Sequence, residues 1–291
     1  MIHKNKKDFI DLINMTVQRT GFRAYLLEKD YYLTYLLSKI NDLSEDLIFK
    51  GGTCLNKIYY SYHRLSEDLD FSMKLPEHTT KRGNRRKCIQ PIKDGIADYI
   101  KQFDMRIDDT KNLGRNESKQ YVYYFIYKSV VQPKEQVIKF EVGLRFNPIL
   151  DTETRDVNHK FLHPFTQEPL FDGGQVNCLS IKEIVSEKMR AAAIRKTIAP
   201  RDFYDLDFIV RQGFDLSDRQ VLSLFVKKLE EDDGDPDIAK YKINLGRSDK
   251  EINDMKSRIE NELFDVLTVG ERENFDLDTA LKRINKLLGA V

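Results

Sequence analysis

The spacing of apolar side chains predicts both helices and strands in the N-terminal half of the chain. Apolar residues recur every three or four positions over 9–20 and 23–40, with Gly21 between them, as in two amphipathic helices. A short apolar run at 47–49 predicts a buried strand, and two glycines follow it almost directly. We therefore expect two helices and then a strand.

The segments after the glycines combine a helix with a strand. Residues 54–62 are compatible with a helix, and residues 64–71 alternate polar and apolar side chains, as half-buried strands do. Side chains two positions apart share one face of a strand, so two carboxylates are expected side by side. The polar face of this predicted strand carries Ser66, Asp68, Asp70 and Ser72.

Residues 121–146 have the pattern of a β-hairpin, with Pro133 and Lys134 in the turn. The second strand of this hairpin alternates cleanly, which places Glu141 on its polar face. Its other face is predicted to enter a core and carries Ile138, Phe140, Val142 and Leu144. The polar face is therefore available for chemistry.

The remainder of the chain is predicted to be mainly helical. Residues 150–178 lack a regular pattern and contain several prolines and glycines, which favours a connection between lobes. Ser180 and Glu183 then fit a capping box at the start of a helix. A second helix starts at Pro200, and helical spacing continues through 216–291.

The predicted fold class is therefore α+β with two lobes. A lobe with a mixed sheet is expected over 1–150, and a connection followed by a mainly helical lobe over 151–291. Charged residues make up 33% of the chain and hydrophobic residues 41%, which is typical of a soluble protein with a core. No apolar run approaches the roughly 20 residues that span a bilayer, and no signal region is evident, so we expect a cytoplasmic protein without a membrane partner.

Cysteine usage and net charge exclude several classes of site. Cys54, Cys88 and Cys178 are far apart and odd in number, which argues against a disulfide framework or a structural zinc site. The net charge of +1 gives no global attraction to nucleic acid, so any such affinity has to come from a local patch. Seven basic residues between 74 and 93 stand against the single acidic Glu77. This stretch is either a phosphate-binding segment or a solvated loop.

The stretch from 48 to 72 carries the strongest chemical signal. A strand, a glycine pair and a helix start present outward N–H groups, so Gly51, Gly52 and Thr53 are candidates for binding a phosphate. Asp68 and Asp70 repel each other unless a divalent cation lies between them, and Mg²⁺ typically binds one or two carboxylates plus substrate phosphates. An Asp-x-Asp pair on its own is far more typical of a solvated strand. The combination with the glycines is more specific.

A third carboxylate and two helices extend this candidate site. Glu141 is the best candidate for a further metal ligand, and the alternative is an ion pair with Lys139 or Arg145. Lys188 and Arg195 are seven residues apart and share a helix face. Asp202 and Asp205 share a face of the next helix, although Asp202 also fits a helix cap.

These motifs together resemble a known family. Gly-Gly-Thr with Lys57, followed by Arg64, Ser66, Asp68 and Asp70, is similar to the nucleotidyltransferase superfold of DNA polymerase β. More narrowly, it resembles the AbiEii/AbiGii-type toxin family of type IV-like toxin–antitoxin and phage-defence (abortive infection) systems. The run from Glu28 to Tyr31 resembles the N-terminal region of that family, where we expect a structural brace. The pattern around Lys188 and Asp205 resembles its C-terminal motifs.

The resemblance implies a polymerase-β-like nucleotidyltransferase lobe and a Mg²⁺-dependent transfer of NMP from an NTP. In the family the residues that match Lys188 and Asp205 belong to the active site and face the nucleotide across a cleft, with Arg195 and Asp202 in support. Lys57, Arg64 and Ser66 are expected to add positive charge and hydrogen bonds near the phosphates. A cognate antitoxin is implied as a partner, and the tRNA 3′ end as a plausible acceptor.

Two other functions remain open from the sequence. One is a nucleotidyltransferase that modifies a small molecule, such as an antibiotic, or a protein, as in AMPylation. The other is a binding module that kept the fold without the activity. The second is disfavoured because degenerate enzymes usually lose the carboxylate pair, whereas Asp68 and Asp70 are both present.

Overall fold

The strand-forming segments of the N-terminal half come together in one mixed sheet. The computed structural model describes residues 2–76, 81–110, 113–241 and 246–288. The strands are β1 (Leu47–Lys50), β2 (Asp68–Met73), β3 (Arg106–Ile107), β4 (Gly114–Arg115), β5 (Gln120–Lys128), β6 (Glu135–Gly143), β7 (Glu153–Asp156) and β8 (Gln175–Cys178). They pair in the order β3-β5-β6-β2-β1-β8-β7, with β4 also on β5. The α+β class predicted from the sequence is confirmed.

Helices of the N-terminal half begin and end close to the predicted positions. Gly21 ends the first helix with a φ of +74°, a left-handed conformation that glycine adopts without strain. The helix predicted at 54–62 starts earlier, directly at the glycine pair. The helices are α1 (Lys6–Thr20), α2 (Ala24–Ser38), α3 (Ile40–Leu43), α4 (Gly51–Cys54), which continues as a π-helical turn over Leu55–Tyr59, and α5 (Arg82–Lys101).

The centre of the sheet aligns charged residues from three strands. β1 and β2 are antiparallel with Lys50 opposite Asp70, and β2 and β6 are parallel with Asp70 opposite Glu141. The predicted hairpin is confirmed as the antiparallel pair β5 and β6. Leu69 and Phe140 on the other face are fully buried. The alternation of polar and apolar residues therefore buries one face of the sheet in the core and aligns charged residues on the opposite face.

The segment before β2 differs from the prediction. The strand starts at Asp68, so Ser66 precedes it and is not part of its polar face. Arg64, Leu65 and Ser66 are all buried, and Arg64 donates to the carbonyl of Leu65 at 2.8 Å. The segment 64–67 is therefore a largely buried approach to the strand. Its polar residues also contact other segments, since Ser66 Oγ lies 2.7 Å from Thr53 Oγ1 and Glu67 Oε2 lies 2.9 Å from Lys29 Nζ.

The predicted connection at 150–178 contains two strands. β7 and β8 pair antiparallel, and β8 extends the sheet by pairing parallel with β1. The chain divides into two compact units, Met1–Leu179 and Ser180–Val291, and both strands belong to the first of them. Each strand has only four residues, which is too short for a periodic signal, and burial of Val176 and Cys178 against the sheet decides the outcome.

The unit from Ser180 onward is helical throughout its described residues. Ser180 caps its first helix by accepting from the N–H of Glu183, which is the serine half of the predicted capping box. The Glu183 carboxylate forms a buried ion pair with Lys228 at 2.8 Å. The helices are α6 (Ile181–Ile194), α7 (Pro200–Arg211), α8 (Arg219–Glu231), α9 (Asp249–Glu262), α10 (Val269–Asn274) and α11 (Leu277–Leu288). Across the described parts of both units, every helix is too short or too polar to span a membrane.

Candidate active site

A row of carboxylates crosses the middle of the sheet in the N-terminal unit. Asp70 lies between Lys50 and Glu141 in the register of three neighbouring strands, and Asp68 lies two residues before it, opposite Lys139. Burial, then the charge of Glu141 and that of Asp68, raise the pKa of Asp70 to about 6, although Lys139 and Lys50 oppose the shift. Asp70 is therefore a carboxylate whose charge is costly in the protein alone.

Glu141 has a lysine partner within this row. Its Oε2 lies 2.6 Å from Lys139 Nζ. Burial opposes the ionisation of Glu141, but the hydrogen bond and the charge of Lys139 outweigh it and lower the pKa of Glu141. The ion pair that the sequence left open as an alternative is thus present, and the same carboxylate still lies opposite Asp70.

The donor chemistry of the row fits a hard divalent cation. Asp68, Asp70 and Glu141 offer only oxygen ligands, the kind that Mg²⁺ prefers. Burial, and after it repulsion from Glu141 and Asp68, raises the pKa of Asp70, and a nearby positive charge favours its ionised form. In the described part of the chain, no three His, Cys, Asp or Glu side chains are gathered closely enough to hold a metal on their own.

The glycine pair lies directly against the carboxylate row. Gly51 has a φ of +77°, and a Cβ added there would lie 2.8 Å from Asp70 Oδ2. A Cβ at Gly52 would lie 2.5 Å from Nη2 of Arg64. Gly51 therefore requires glycine for its backbone conformation, whereas a side chain at Gly52 would displace the Arg64 guanidinium. The peptide groups of the predicted phosphate cradle are thus brought next to Asp70 and Arg64.

Thr53 links this turn to the strand that carries the aspartates. Its hydroxyl donates to the backbone carbonyl of Asp68 and lies 2.7 Å from Ser66 Oγ. Thr53, Arg64 and Ser66 are all buried. The structure therefore brings these predicted residues together, and the hydroxyl groups of Thr53 and Ser66 hold the glycine turn on β2.

Lys57 is the predicted phosphate contact that the structure places elsewhere. Its side chain is fully buried, and Nζ lies 2.7 Å from Asp30 Oδ1. It also donates to Thr34 Oγ1 at 2.8 Å and to Tyr62 OH at 2.9 Å. The ammonium group is turned into the core because Asp30 supplies a buried counter-charge there. We therefore withdraw the expectation that Lys57 adds positive charge at the phosphates.

The four predicted residues of the C-terminal unit form one cluster. Lys188 Nζ lies 2.9 Å from Asp202 Oδ1 and 2.8 Å from Asp205 Oδ2. Arg195 Nη1 lies 2.8 Å from Asp202 Oδ2, with half of its side chain exposed. Asp202 does not cap α7, whose N-cap is Ala199. The four residues that the sequence singled out therefore lie together, with Arg195 directly after the end of α6.

Two residues beside the site, Lys50 and Tyr62, were not predicted because no sequence pattern marks them. Lys50 lies opposite Asp70, and only the register of β1 against β2 reveals it. Tyr62 contacts Lys57 and Asp30 from a turn with a φ of +76°. A tyrosine gives no sequence signal for such a conformation, which bulky residues seldom adopt.

Solved structures share this fold at low sequence identity. The nucleotidyltransferase toxin MenT4 from Mycobacterium tuberculosis is 17% identical, with a TM-score of 0.57 over 96% of this chain and 98% of that chain. JHP933 from Helicobacter pylori is 16% identical, with a TM-score of 0.53 over 92% of each chain. A search of the curated proteins gives no match. At these identities the comparison establishes the fold alone.

A family model establishes more than the fold. The model described as "Nucleotidyl transferase AbiEii toxin, Type IV TA system" matches residues 35–283, which include the glycine turn, the carboxylate row and the Lys188 cluster. The resemblance inferred from the motifs is thereby confirmed. The chain belongs to the AbiEii family of nucleotidyltransferase toxins of type IV toxin–antitoxin systems.

Proposed function

We propose that the protein transfers a nucleoside monophosphate from an NTP to an RNA hydroxyl, in a Mg²⁺-dependent reaction with the tRNA 3′ end as acceptor. The observation that carries the proposal is the contact between the glycine turn and the carboxylate row. Gly51 leaves space for no side chain beside Asp70, and Asp70 lies opposite Glu141. Backbone amides suited to phosphate and oxygens suited to a divalent cation thus lie side by side.

The N-terminal unit supplies binding and positioning in this proposal. The amides at Gly51–Thr53 bind NTP phosphates, and the Arg64 guanidinium against Gly52 adds positive charge. Asp68, Asp70 and Glu141 would hold Mg²⁺, which would supply positive charge near the transferred phosphoryl group. The acceptor oxygen forms a bond to the α-phosphorus while the α–β phosphoanhydride bond breaks and pyrophosphate leaves. The proton of the hydroxyl passes to the carboxylate row.

We propose that the cluster in the C-terminal unit is required for the same transfer, as the resemblance of its motif implies. Lys188 is the proposed active-site cation of this cluster, and Asp202 and Asp205 hold its ammonium in place. Arg195 is anchored by one guanidinium nitrogen on Asp202 while half of its side chain stays exposed. A cation held by carboxylates on rigid helices is preorganised for a polyphosphate.

A basic surface supports RNA as the acceptor. Within the basic stretch predicted at 74–93, Arg82, Arg86 and Lys87 are exposed at the start of α5, where phosphate contacts need no specific sequence. Glu77, the single acidic residue of this stretch, lies outside the described residues. Membership of a toxin–antitoxin family also implies a cognate antitoxin, so expression of the toxin alone is expected to arrest growth in the cytoplasm of its host.

Incubation of the purified protein with each α-labelled NTP, Mg²⁺ and tRNA tests the proposal. We expect label on tRNA that disappears with a chelator and with Asp68→Ala. Asp11→Ala, an exposed position on α1, is the matched control and retains full transfer. Label that appears on a protein or a small molecule instead of RNA contradicts the acceptor assignment. Transfer that persists in Asp68→Ala contradicts the assignment of the site.

A further inference from the structure

Three consecutive charged residues of α2 are buried inside the N-terminal unit. Glu28 and Asp30 are fully buried and Lys29 is 9% exposed. Successive residues of an α-helix point about 100° apart, so these three side chains cannot contact one partner. Each instead contacts a different segment of the candidate active site. Buried charges are costly unless they are paired, so the partners indicate what these side chains are for.

Asp30 holds the segment that follows the glycine pair. Its Oδ1 lies 2.7 Å from Lys57 Nζ, and its Oδ2 accepts from Tyr62 OH. Lys57 belongs to the helical segment that starts at Gly51. The backbone carbonyl of Lys57 is held as well, since it accepts from the backbone N–H of Asn158 at 3.0 Å.

Tyr62 lies in a strained turn between that helical segment and β2. Ser61 and Tyr62 have φ values of +42° and +76°, a conformation that residues with side chains rarely adopt. Such a turn persists only when its surroundings hold it. The Tyr62 hydroxyl contacts both Lys57 and Asp30, so the buried pair also holds this turn.

Lys29 holds the residue directly before the aspartates. Its Nζ lies 2.9 Å from Glu67 Oε2, and these side chains are 11% and 29% exposed. Glu67 precedes Asp68 in the chain, so this ion pair sets the start of β2. It acts together with Thr53, whose hydroxyl donates to the carbonyl of Asp68.

Glu28 holds the turn of the hairpin that carries Glu141. Its carboxylate accepts from Ser129 Oγ at 2.5 Å and from the N–H of Val130 at 2.6 Å. These residues connect β5 to β6. A carboxylate that is bound by two donors fixes where the turn lies, and thereby anchors the strand of Glu141 opposite Asp70.

We propose that Glu28, Lys29 and Asp30 are positioning residues that hold the glycine turn, the aspartate strand and the Glu141 hairpin in one arrangement for nucleotidyl transfer. Lys57 is a positioning residue of the same network. The proposal rests on the proposed function, because it assigns these residues to that transfer. A single rigid helix therefore sets the geometry of three segments that are distant in sequence.

The test uses a double substitution that removes a buried ion pair without leaving a lone charge. Asp30→Asn with Lys57→Met keeps the volume of both side chains and the acceptor for Tyr62. Removal of both members of a buried pair is often neutral for stability, whereas removal of one is strongly destabilising. Arg190→Met with Asp232→Asn is the control, since that ion pair is also largely buried, with side chains 26% and 17% exposed, and lies in the other compact unit.

The proposal expects both double variants to unfold within a few degrees of the unmodified protein. Only Asp30→Asn/Lys57→Met is expected to lose transfer, by about 100-fold in kcat, because small displacements of reacting groups have effects of that size. If the variant is stable and its transfer rate lies within twofold of the unmodified protein, the proposal is overturned. A pair that serves only the fold would leave transfer intact in any variant that folds normally. The control variant is expected to keep full transfer.

A second pair keeps the proposal testable if the first variant fails to fold. Lys29→Met/Glu67→Gln alters a partly exposed pair and is expected to fold, with about a 10-fold loss of kcat by the same displacement argument. Full transfer in this variant excludes the role of Lys29.

Hydrogen exchange separates this proposal from the proposed function. If the unmodified protein transfers no nucleotide, the proposed function fails, and amide exchange over residues 51–73 still tests the positioning role. Faster exchange there in Asp30→Asn/Lys57→Met, with unchanged exchange in α6, supports positioning. Equal exchange in both proteins overturns it.

Discussion

Asp70 lies between Lys50 on one neighbouring strand and Glu141 on the other. The carboxylate therefore experiences charges of both signs from side chains that the register of the sheet places beside it. Burial and the charge of Glu141 outweigh the opposing charges of Lys139 and Lys50, and the pKa of Asp70 rises to about 6. The pKa of Asp70 therefore depends on each neighbouring charge, and a change in that pKa reveals a change in the arrangement of the carboxylate row.

Asp70 is expected to make cation binding depend on pH near neutrality. A proton competes with Mg²⁺ for the carboxylate, so the apparent Kd for Mg²⁺ rises as pH falls below about 6. Glu141→Gln removes a charge that raises the pKa of Asp70, so the midpoint of the pH dependence of Mg²⁺ binding moves to lower pH.

Lys139→Met removes a charge that lowers the pKa of Asp70, so the same midpoint moves to higher pH. Calorimetric titration with Mg²⁺ and an NTP from pH 5 to 8 measures the shifts, and one common midpoint for all three proteins contradicts this prediction.

Asp70→Asn is expected to stabilise the metal-free protein while it abolishes transfer. The pKa of Asp70 rises from 3.8 to about 6 on folding, so the folded state binds the proton more tightly than the unfolded state. The resulting stability is complete below pH 3.8 and is lost as pH rises through about 6. At pH 7 the neutral amide avoids that loss, which raises the free energy of unfolding by on the order of 1–3 kcal/mol. Thermal unfolding with a chelator at pH 4 and pH 7 checks this, and a gain that is equal at both values argues against it.

The two glycines beside the site are expected to respond differently from a glycine in open space. Gly51→Ala forces a side chain into a left-handed backbone and against Asp70, so we expect a loss of about 1–2 kcal/mol in the free energy of unfolding together with weaker NTP binding. Gly52→Ala displaces the Arg64 guanidinium and mainly weakens NTP binding. Gly83→Ala, in α5 with nothing within 4 Å, is the control and gains up to about 1 kcal/mol. Denaturant unfolding measures the free energy of unfolding, and titration with NTP measures its affinity. Normal NTP binding in Gly52→Ala would contradict a role of the amides at Gly51–Thr53 in binding phosphate.

The Lys188 cluster is expected to separate stability from activity. Lys188→Met leaves the fully buried carboxylate of Asp205 without this counter-charge, which is expected to cost about 3–5 kcal/mol of stability. Lys188→Met with Asp205→Asn removes both charges and recovers most of that loss. Transfer is expected to stay absent in the double variant, as in Asp68→Ala. Chemical denaturation and labelled-NTP transfer are the measurements, and a stable, fully active double variant shows that the cluster serves only the fold.

The sequence alone determined the features that depend on local periodicity and on chemical motifs. The helices α1 and α2, the β5–β6 hairpin and the helices after Ser180 follow from spacings of 3.6 and 2 residues. The motif order around Gly51 and Asp70 was sufficient to identify the family. Lys188 and Asp205 were singled out by motif resemblance and helical spacing, whereas their ion pair at 2.8 Å was not predicted.

Only the tertiary structure decided which partners the charged residues take. Lys57 has the same local pattern whether it faces a phosphate or a core, and the buried carboxylate of Asp30 turned it inward. β8 joins the sheet because β1 offers it an unpaired edge, although its four residues carry no periodic signal. Asp70 lies opposite Glu141 because two distant segments pair in parallel register. Periodicity reports which side of an element is buried, whereas the counter-charge that a side chain meets depends on contacts between segments far apart in the chain.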